Sequence, residues 1–154
     1  MTSACSHIGL CVTDLERSRR FYEEVFGFRL AFDLSTDGSS TPQLLRLEAP
    51  LTLNAAYLAV DGLLLELLQF EPAGAPGPVT RVMNEPGLTH LSLFVDDVDA
   101  VIAAVPQHGG RVRDDTNLGV AVFVEDPDGQ AIEVIGPGGQ FKAMRDDAIR
   151  KLER

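Results

Sequence analysis

With 154 residues, 45% of them hydrophobic and 23% charged, the chain can build one compact domain and is not composed like a disordered one. Its formal net charge of −10 excludes nucleic acid and anionic membrane as main partners, since phosphate recognition needs a basic face. The longest apolar run, 63–70, is broken by Glu66, the N-terminus has no leader-like stretch, and Cys5 and Cys11 are expected to remain free thiols, so the expectation is a cytoplasmic, soluble domain, with the charge saying little about small-molecule substrates.

Taken in order, Ser6-His7-Ile8-Gly9-Leu10-Cys11-Val12-Thr13-Asp14 alternates at period two and predicts a strand. Asp14 then caps a helix over 15–26, with Leu15, Tyr22, Val25 and Phe26 inward, and Gly27 ends it. Phe28 to Leu34 reads as a strand, 35–42 as a turn-rich loop, 44–47 as a short strand and 53–60 as another. Asp61-Gly62 is a hairpin signal, and 63–70 is the returning strand. Residues 71–88, with Pro72, Pro76, Pro78 and Pro86, form a linker in which one helical turn is expected near Val79 to Met83.

The chain then starts again. Thr89-His90-Leu91-Ser92-Leu93-Phe94-Val95-Asp96-Asp97 repeats the opening stretch position by position, hydroxyl, His, aliphatic, small, Leu, apolar, Val, polar, Asp. His90 to Val95 is the strand, and Asp97 caps a helix carrying Val98, Val101, Ile102 and Val105, stopped by Gly109-Gly110. Arg111 to Arg113 opens a strand, a loop follows near Asn117, and Val120 to Glu125 leads into Asp126-Pro127-Asp128-Gly129 and a last strand, Ala131 to Ile135. The duplication extends to Asp61-Gly62 with Glu66 and Asp128-Gly129 with Glu133. Residues 140–154 make a charged amphipathic tail with Phe141, Met144, Ala148 and Leu152 near one face, expected as a helix on its own domain or on a second subunit.

Four polar residues fall in or at otherwise apolar strands: His7, Glu66, His90 and Glu133. A carboxylate among Leu63, Leu64, Leu65, Leu67 and Leu68 costs several kcal/mol unless something pairs with it, and none of these strands supplies a Lys or Arg. Two imidazoles and two carboxylates answer that need by holding one divalent metal. Nitrogen and oxygen donors without thiolate suit nickel, zinc, cobalt, manganese or ferrous iron. His108 lacks a comparable partner in the repeat and is expected to be solvated.

These features resemble the vicinal oxygen chelate superfamily, which includes glyoxalase I, methylmalonyl-CoA epimerase, extradiol dioxygenases, and bleomycin and fosfomycin resistance proteins. The resemblance covers about 6–136. Its marks are His7 with Val12-Thr13-Asp14-Leu15, the segment Arg20-Phe21-Tyr22-Glu23-Glu24-Val25-Phe26-Gly27-Phe28, and Phe123-Val124-Glu125-Asp126-Pro127-Asp128-Gly129. It implies an α+β fold in which two tandem βαβββ modules form a cupped, eight-stranded mixed sheet, plus the C-terminal helix. One domain over 1–154 would then comprise module one (5–70), the linker (71–88), module two (89–137) and the tail (138–154), commonly paired as a homodimer. The superfamily's ligand positions are His7, Glu66, His90 and Glu133 here.

The order His, Glu, His, Glu resembles bacterial-type glyoxalase I, and implies a lyase or isomerase acting through a metal-chelated enediolate on a vicinal-oxygen substrate. Glu133 is then the main candidate for the base, with Glu66 the second carboxylate. The chain departs from the glutathione enzymes at Ala31-Phe32-Asp33 and at Thr116-Asn117-Leu118-Gly119, where they carry basic residues. Arg46, Arg111 and Arg113 remain as possible anion contacts, and a hydroxy-ketone or thioester substrate is an alternative to a glutathione adduct. The other readings are a ferrous extradiol-type dioxygenase using His7, His90 and Glu133, an epimerase, and a non-catalytic antibiotic-binding resistance protein. Epimerases carry Gln where this chain has Glu66, and a retained ligand set favours an enzyme.

Overall fold

The computed structural model of the chain describes residues 3–38, 40–74, 82–138 and 140–152. The chain divides into two compact units, Met1–Val79 and Thr80–Arg154. Unit one runs β1 (Ile8–Cys11), α1 (Leu15–Phe26), β2 (Arg29–Thr36), α2 (Ser40–Leu45), β3 (Thr52–Val60) and β4 (Leu63–Glu71). Its four strands form a mixed sheet in the order β1-β4-β3-β2, with β1 parallel to β4 and the other neighbours antiparallel.

The helix forms where its signals stand. Asp14 is extended, and its Oδ1 accepts the Arg17 N–H at 3.0 Å, a cap worth about 1 kcal/mol. Gly27 turns left-handed at φ 69° and ends the helix. Phe21 and Tyr22 are wholly buried from its inner face. At the hairpin, Asp61 and Gly62 both take positive φ, 44° and 80°, which a two-residue turn between twisted strands requires. That turn sets the register of β3 on β4, pairing Val60 with Leu63 and, further along, Tyr57 with Glu66.

One expectation fails here. The stretch 44–47 is not a strand, because the chain forms α2 over Ser40–Leu45 and leaves it through Arg46 at φ 57°. Pro42 lies in the first turn of that short helix, where its fixed φ helps and its missing N–H removes no helical bond. Without that strand the unit is a βαβββ module of four strands with the short α2 inserted between β2 and β3.

Unit two repeats the plan: β5 (Leu91–Phe94), α3 (Val98–Ala104), β6 (Arg111–Val112), β7 (Ala121–Glu125), β8 (Ala131–Ile135) and a terminal α4 (Phe141–Leu152). The sheet order, β5-β8-β7-β6, is that of unit one, with β5 parallel to β8. Asp97 caps α3 through the Ala100 N–H at 3.0 Å. The helix tightens into a 3₁₀ turn over Val105–His108, since Pro106 has no N–H to continue it, and Gly109 closes the turn at φ 83°. The loop expected near Asn117 begins as a 3₁₀ turn, Asp114–Thr116.

The linker turn expected near Val79 to Met83 lies largely outside the described residues. The tail helix exists, with no buried residue; its Phe141 ring leans on Phe94 of its own unit at 6.2 Å between centroids, beside Lys142 and Arg145 over the same ring. No helix among the described residues is long and apolar enough to cross a membrane.

Candidate metal centre

Strand alternation sorts β4 into two faces. Leu65 and Leu67 are wholly buried on one, and Glu66 between them faces the other. On that second face Leu53, Ala55 and Tyr57 pack with Leu64, Leu68 and Phe70, so the carboxylate stands in an apolar setting. Register then lays Gly9 of β1, Glu66 of β4, Tyr57 of β3 and Phe32 of β2 in one row across the sheet.

His7 stands immediately before β1, two residues from Gly9 and therefore on the same face. Its Nε2 is 3.1 Å from Glu66 Oε2, and its Nδ1 is 3.1 Å from Ser6 Oγ. The Tyr57 phenol donates to the other carboxylate oxygen, Glu66 Oε1. The Tyr57 ring also meets His7 edge-on at 5.5 Å and is stacked by Phe32 at 4.2 Å. Glu66 is buried, its side chain 9% exposed, whereas His7 is 37% exposed. Burial, then the hydrogen bond to Glu66, pushes the Tyr57 phenol up to about 12, so it is a proton donor throughout the neutral range.

Unit two builds the pair again. His90 precedes β5, with Nε2 3.5 Å from Glu133 Oε2 and Nδ1 2.9 Å from Thr89 Oγ1. Ser92 and Phe123 are the register partners of Glu133, and Phe123 meets His90 edge-on at 5.3 Å. Ser92 Oγ donates to Glu133 Oε2 at 2.8 Å. Here both side chains are 30% exposed.

Each unit thus joins a predicted histidine to its predicted glutamate, His7 to Glu66 and His90 to Glu133. Among the described residues no group of three or more His, Cys, Asp and Glu side chains stands ready to hold a metal, so each unit by itself presents a two-ligand clamp. The donor chemistry of each clamp fits a divalent ion. A hydroxyl occupies Nδ1 and turns Nε2 toward the carboxylate, the arrangement that orients ligating histidines. Because a hydroxyl either donates or accepts, the ring can give its Nε2 proton to the carboxylate in one tautomer. In the other it keeps that lone pair free while Nδ1–H donates to Ser6 or Thr89. Neither glutamate forms an ion pair with Lys or Arg among the described residues.

The remaining predicted groups lie elsewhere. Arg111 and Arg113 commit themselves to Glu125. Arg111 reaches Oε2 with Nε at 2.8 Å and Nη2 at 2.6 Å, and Arg113 reaches Oε1 with both atoms at 2.7 Å. Burial alone would raise the Glu125 carboxyl, but the two guanidiniums outweigh it and hold the group below the usual carboxylate range. The trio braces the short edge strand β6 onto β7. Cys5 and Cys11 are exposed and not joined in a disulfide.

Sequence reasoning missed Tyr57, Phe32 and Ser92. Ser92 was visible as the small residue two after the repeated histidine. Tyr57 needed the hairpin register, which the Asp61-Gly62 turn supplies once its two-residue length is known.

The chain matches the family model described as the Glyoxalase/Bleomycin resistance protein/Dioxygenase superfamily over residues 4–134. A lactoylglutathione lyase of Haemophilus influenzae is 32% identical over 147 residues, covering 84% of this chain and 89% of that protein. A glyoxalase family protein from Bacillus cereus superposes with a TM-score of 0.75 at 16% identity, over 88% of this chain and 95% of that one. The fosfomycin resistance protein FosX from Mesorhizobium loti superposes at 0.62 and 21% identity, over 94% and 99%. At such identities the two structures speak to the fold.

Proposed function

Since the chain belongs to the Glyoxalase/Bleomycin resistance protein/Dioxygenase superfamily, we propose that it is a divalent-metal-dependent lyase or isomerase of the glyoxalase I kind, its metal held by His7, Glu66, His90 and Glu133. The observation that carries this reading is one His–Glu clamp built twice, each imidazole set by a hydroxyl on Nδ1. In this reading the two units work as a single functional domain on a small molecule with neighbouring oxygens. The relation to a lactoylglutathione lyase supports the reaction class.

A divalent ion bound there supplies Lewis acidity toward the substrate's oxygens. His7 and His90 would offer Nε2 to the ion, each ring then carrying its proton on Nδ1 and donating a hydrogen bond to Ser6 Oγ or Thr89 Oγ1. Glu66, buried and held by Tyr57, is the carboxylate that stays put. Glu133 is more exposed and held by a single serine hydroxyl, and it is the one that takes a proton from a substrate carbon and returns it to the neighbour.

The test is turnover of a hemithioacetal panel after reconstitution with nickel or zinc, in wild type and in Glu133→Gln. Metal-dependent turnover that Glu133→Gln lowers by at least about 10²-fold supports the reading, that being the usual size of a general-base contribution. Oxygen uptake on catechols with ferrous iron, or turnover indifferent to Glu133→Gln, contradicts it.

A further inference from the structure

We infer that Tyr57 is a positioning residue for Glu66: its phenol fixes Oε1 and so presents Oε2 beside His7 as a standing ligand. The inference rests on the metal reading above and deepens it.

The two copies of the clamp differ in how each carboxylate is held. In each sheet the glutamate has one register partner on either side: Gly9 and Tyr57 for Glu66, Ser92 and Phe123 for Glu133. Each carboxylate receives one hydroxyl, but from opposite neighbours. In unit one β1 offers glycine and the hydroxyl comes from Tyr57 on β3. In unit two the ring lacks a hydroxyl and Ser92 provides it.

The oxygen that is bonded differs too. Tyr57 binds Glu66 Oε1 while His7 faces Oε2, so the His-facing oxygen keeps its lone pairs. Ser92 binds Glu133 on Oε2, the same oxygen that faces His90. One carboxylate is pinned from behind and the other is engaged at its working oxygen. Burial follows the same division, 9% exposure against 30%.

Two further features hold the device in place. Phe32 stacks on Tyr57 with an interplanar angle of 19°, which fixes the ring and so the phenol. A Cβ at Gly9 would come to 3.1 Å from Leu68 Cδ1 and 3.5 Å from Glu66 Oε2, so a serine like that of unit two would press on Leu68 and stand in contact with the oxygen facing His7.

The experiment is cobalt(II) binding to the whole protein, measured by competition with a chromophoric chelator and by the visible spectrum of the bound ion. Tyr57→Phe places in unit one the residue that unit two carries naturally, keeping the stacked ring and removing only the hydroxyl. The expected result is a loss of cobalt affinity of about 10- to 100-fold, the usual effect of removing a group that orients a ligand, with an altered cobalt spectrum. Glu66→Gln is the reference and loses more. Wild-type affinity and spectrum in Tyr57→Phe, with binding lost in Glu66→Gln, overturns the role of Tyr57 and leaves the metal reading standing. Cobalt binding unchanged in both overturns the two together. Should Tyr57→Phe fail to fold, Phe32→Leu carries the test: an altered spectrum supports the inference, and an unaltered one overturns it.

Discussion

Tyr57 and Phe123 hold the same place in the two units. Each stands directly across the sheet from its glutamate, and each turns its ring edge-on to the histidine, at 5.5 Å and 5.3 Å. The duplication therefore preserves the aromatic wall of the clamp and varies only its hydroxyl. That variation makes the two carboxylates chemically unequal although their strands and spacing are alike.

The hydroxyls behind the histidines give the first prediction. Replacing Ser6 by Ala and Thr89 by Val removes the partners that accept Nδ1–H when Nε2 is free for a metal. Each substitution is expected to weaken divalent-metal affinity by about tenfold, measured by chelator competition. Unfolding midpoints without metal should stay close to wild type.

The Glu125 brace gives a pH dependence. The folded-state carboxyl lies below its ordinary value of 4.5, so its contribution is present above that value and is lost as pH falls through the lower folded-state one. Urea midpoints of wild type should drop on acidification through that window, and Glu125→Gln should flatten the drop. At pH 7, Glu125→Ala is expected to cost about 2 kcal/mol, the range for hydrogen bonds to a charged group, since the carboxylate is buried while Arg111 is largely exposed. An unchanged acid limb in Glu125→Gln would show that other carboxylates govern it.

Gly136 follows the last strand, where a Cβ would come to 2.7 Å from Val98 Cγ2 and 3.5 Å from the Val120 carbonyl oxygen. Gly136→Ala should therefore push α3 off the end of its sheet, at a cost of about 2 kcal/mol by urea unfolding. Gly74→Ala, with nothing within 4 Å of the added carbon, is the control.

The helix caps should behave alike in both units. Asp14→Ala and Asp97→Ala each remove a carboxylate that accepts an N–H at 3.0 Å. Each is expected to cost about 1 kcal/mol, read from urea midpoints.

Much of this fold was legible because its signals are local. Period-two alternation, Asp caps, closing glycines and the Asp61-Gly62 turn specify their elements within a few residues, and the duplication checks one half against the other. The mistaken strand at 44–47 shows the limit: a short apolar run beside Pro42 carries no period, and the proline's place in a helical first turn decided it. Of the candidate site, the His and Glu positions could be read because polar residues stand out in apolar strands. Tyr57 could not, since an aromatic in a strand looks like core until the pairing places its hydroxyl against Glu66. Arg111 and Arg113 were open to an anion-binding reading for the same reason, because their partner Glu125 lies on the neighbouring strand.

In the proposed metal centre the two clamps serve one ion. The direct measurement is metal stoichiometry and affinity by titration of the intact protein, in wild type, His7→Gln and Glu133→Gln. Tight binding of about one divalent ion per chain is expected, lost or greatly weakened by either substitution although they lie in different units. Two ions per chain, each lost with its own unit's substitution, would contradict it, as would binding indifferent to both.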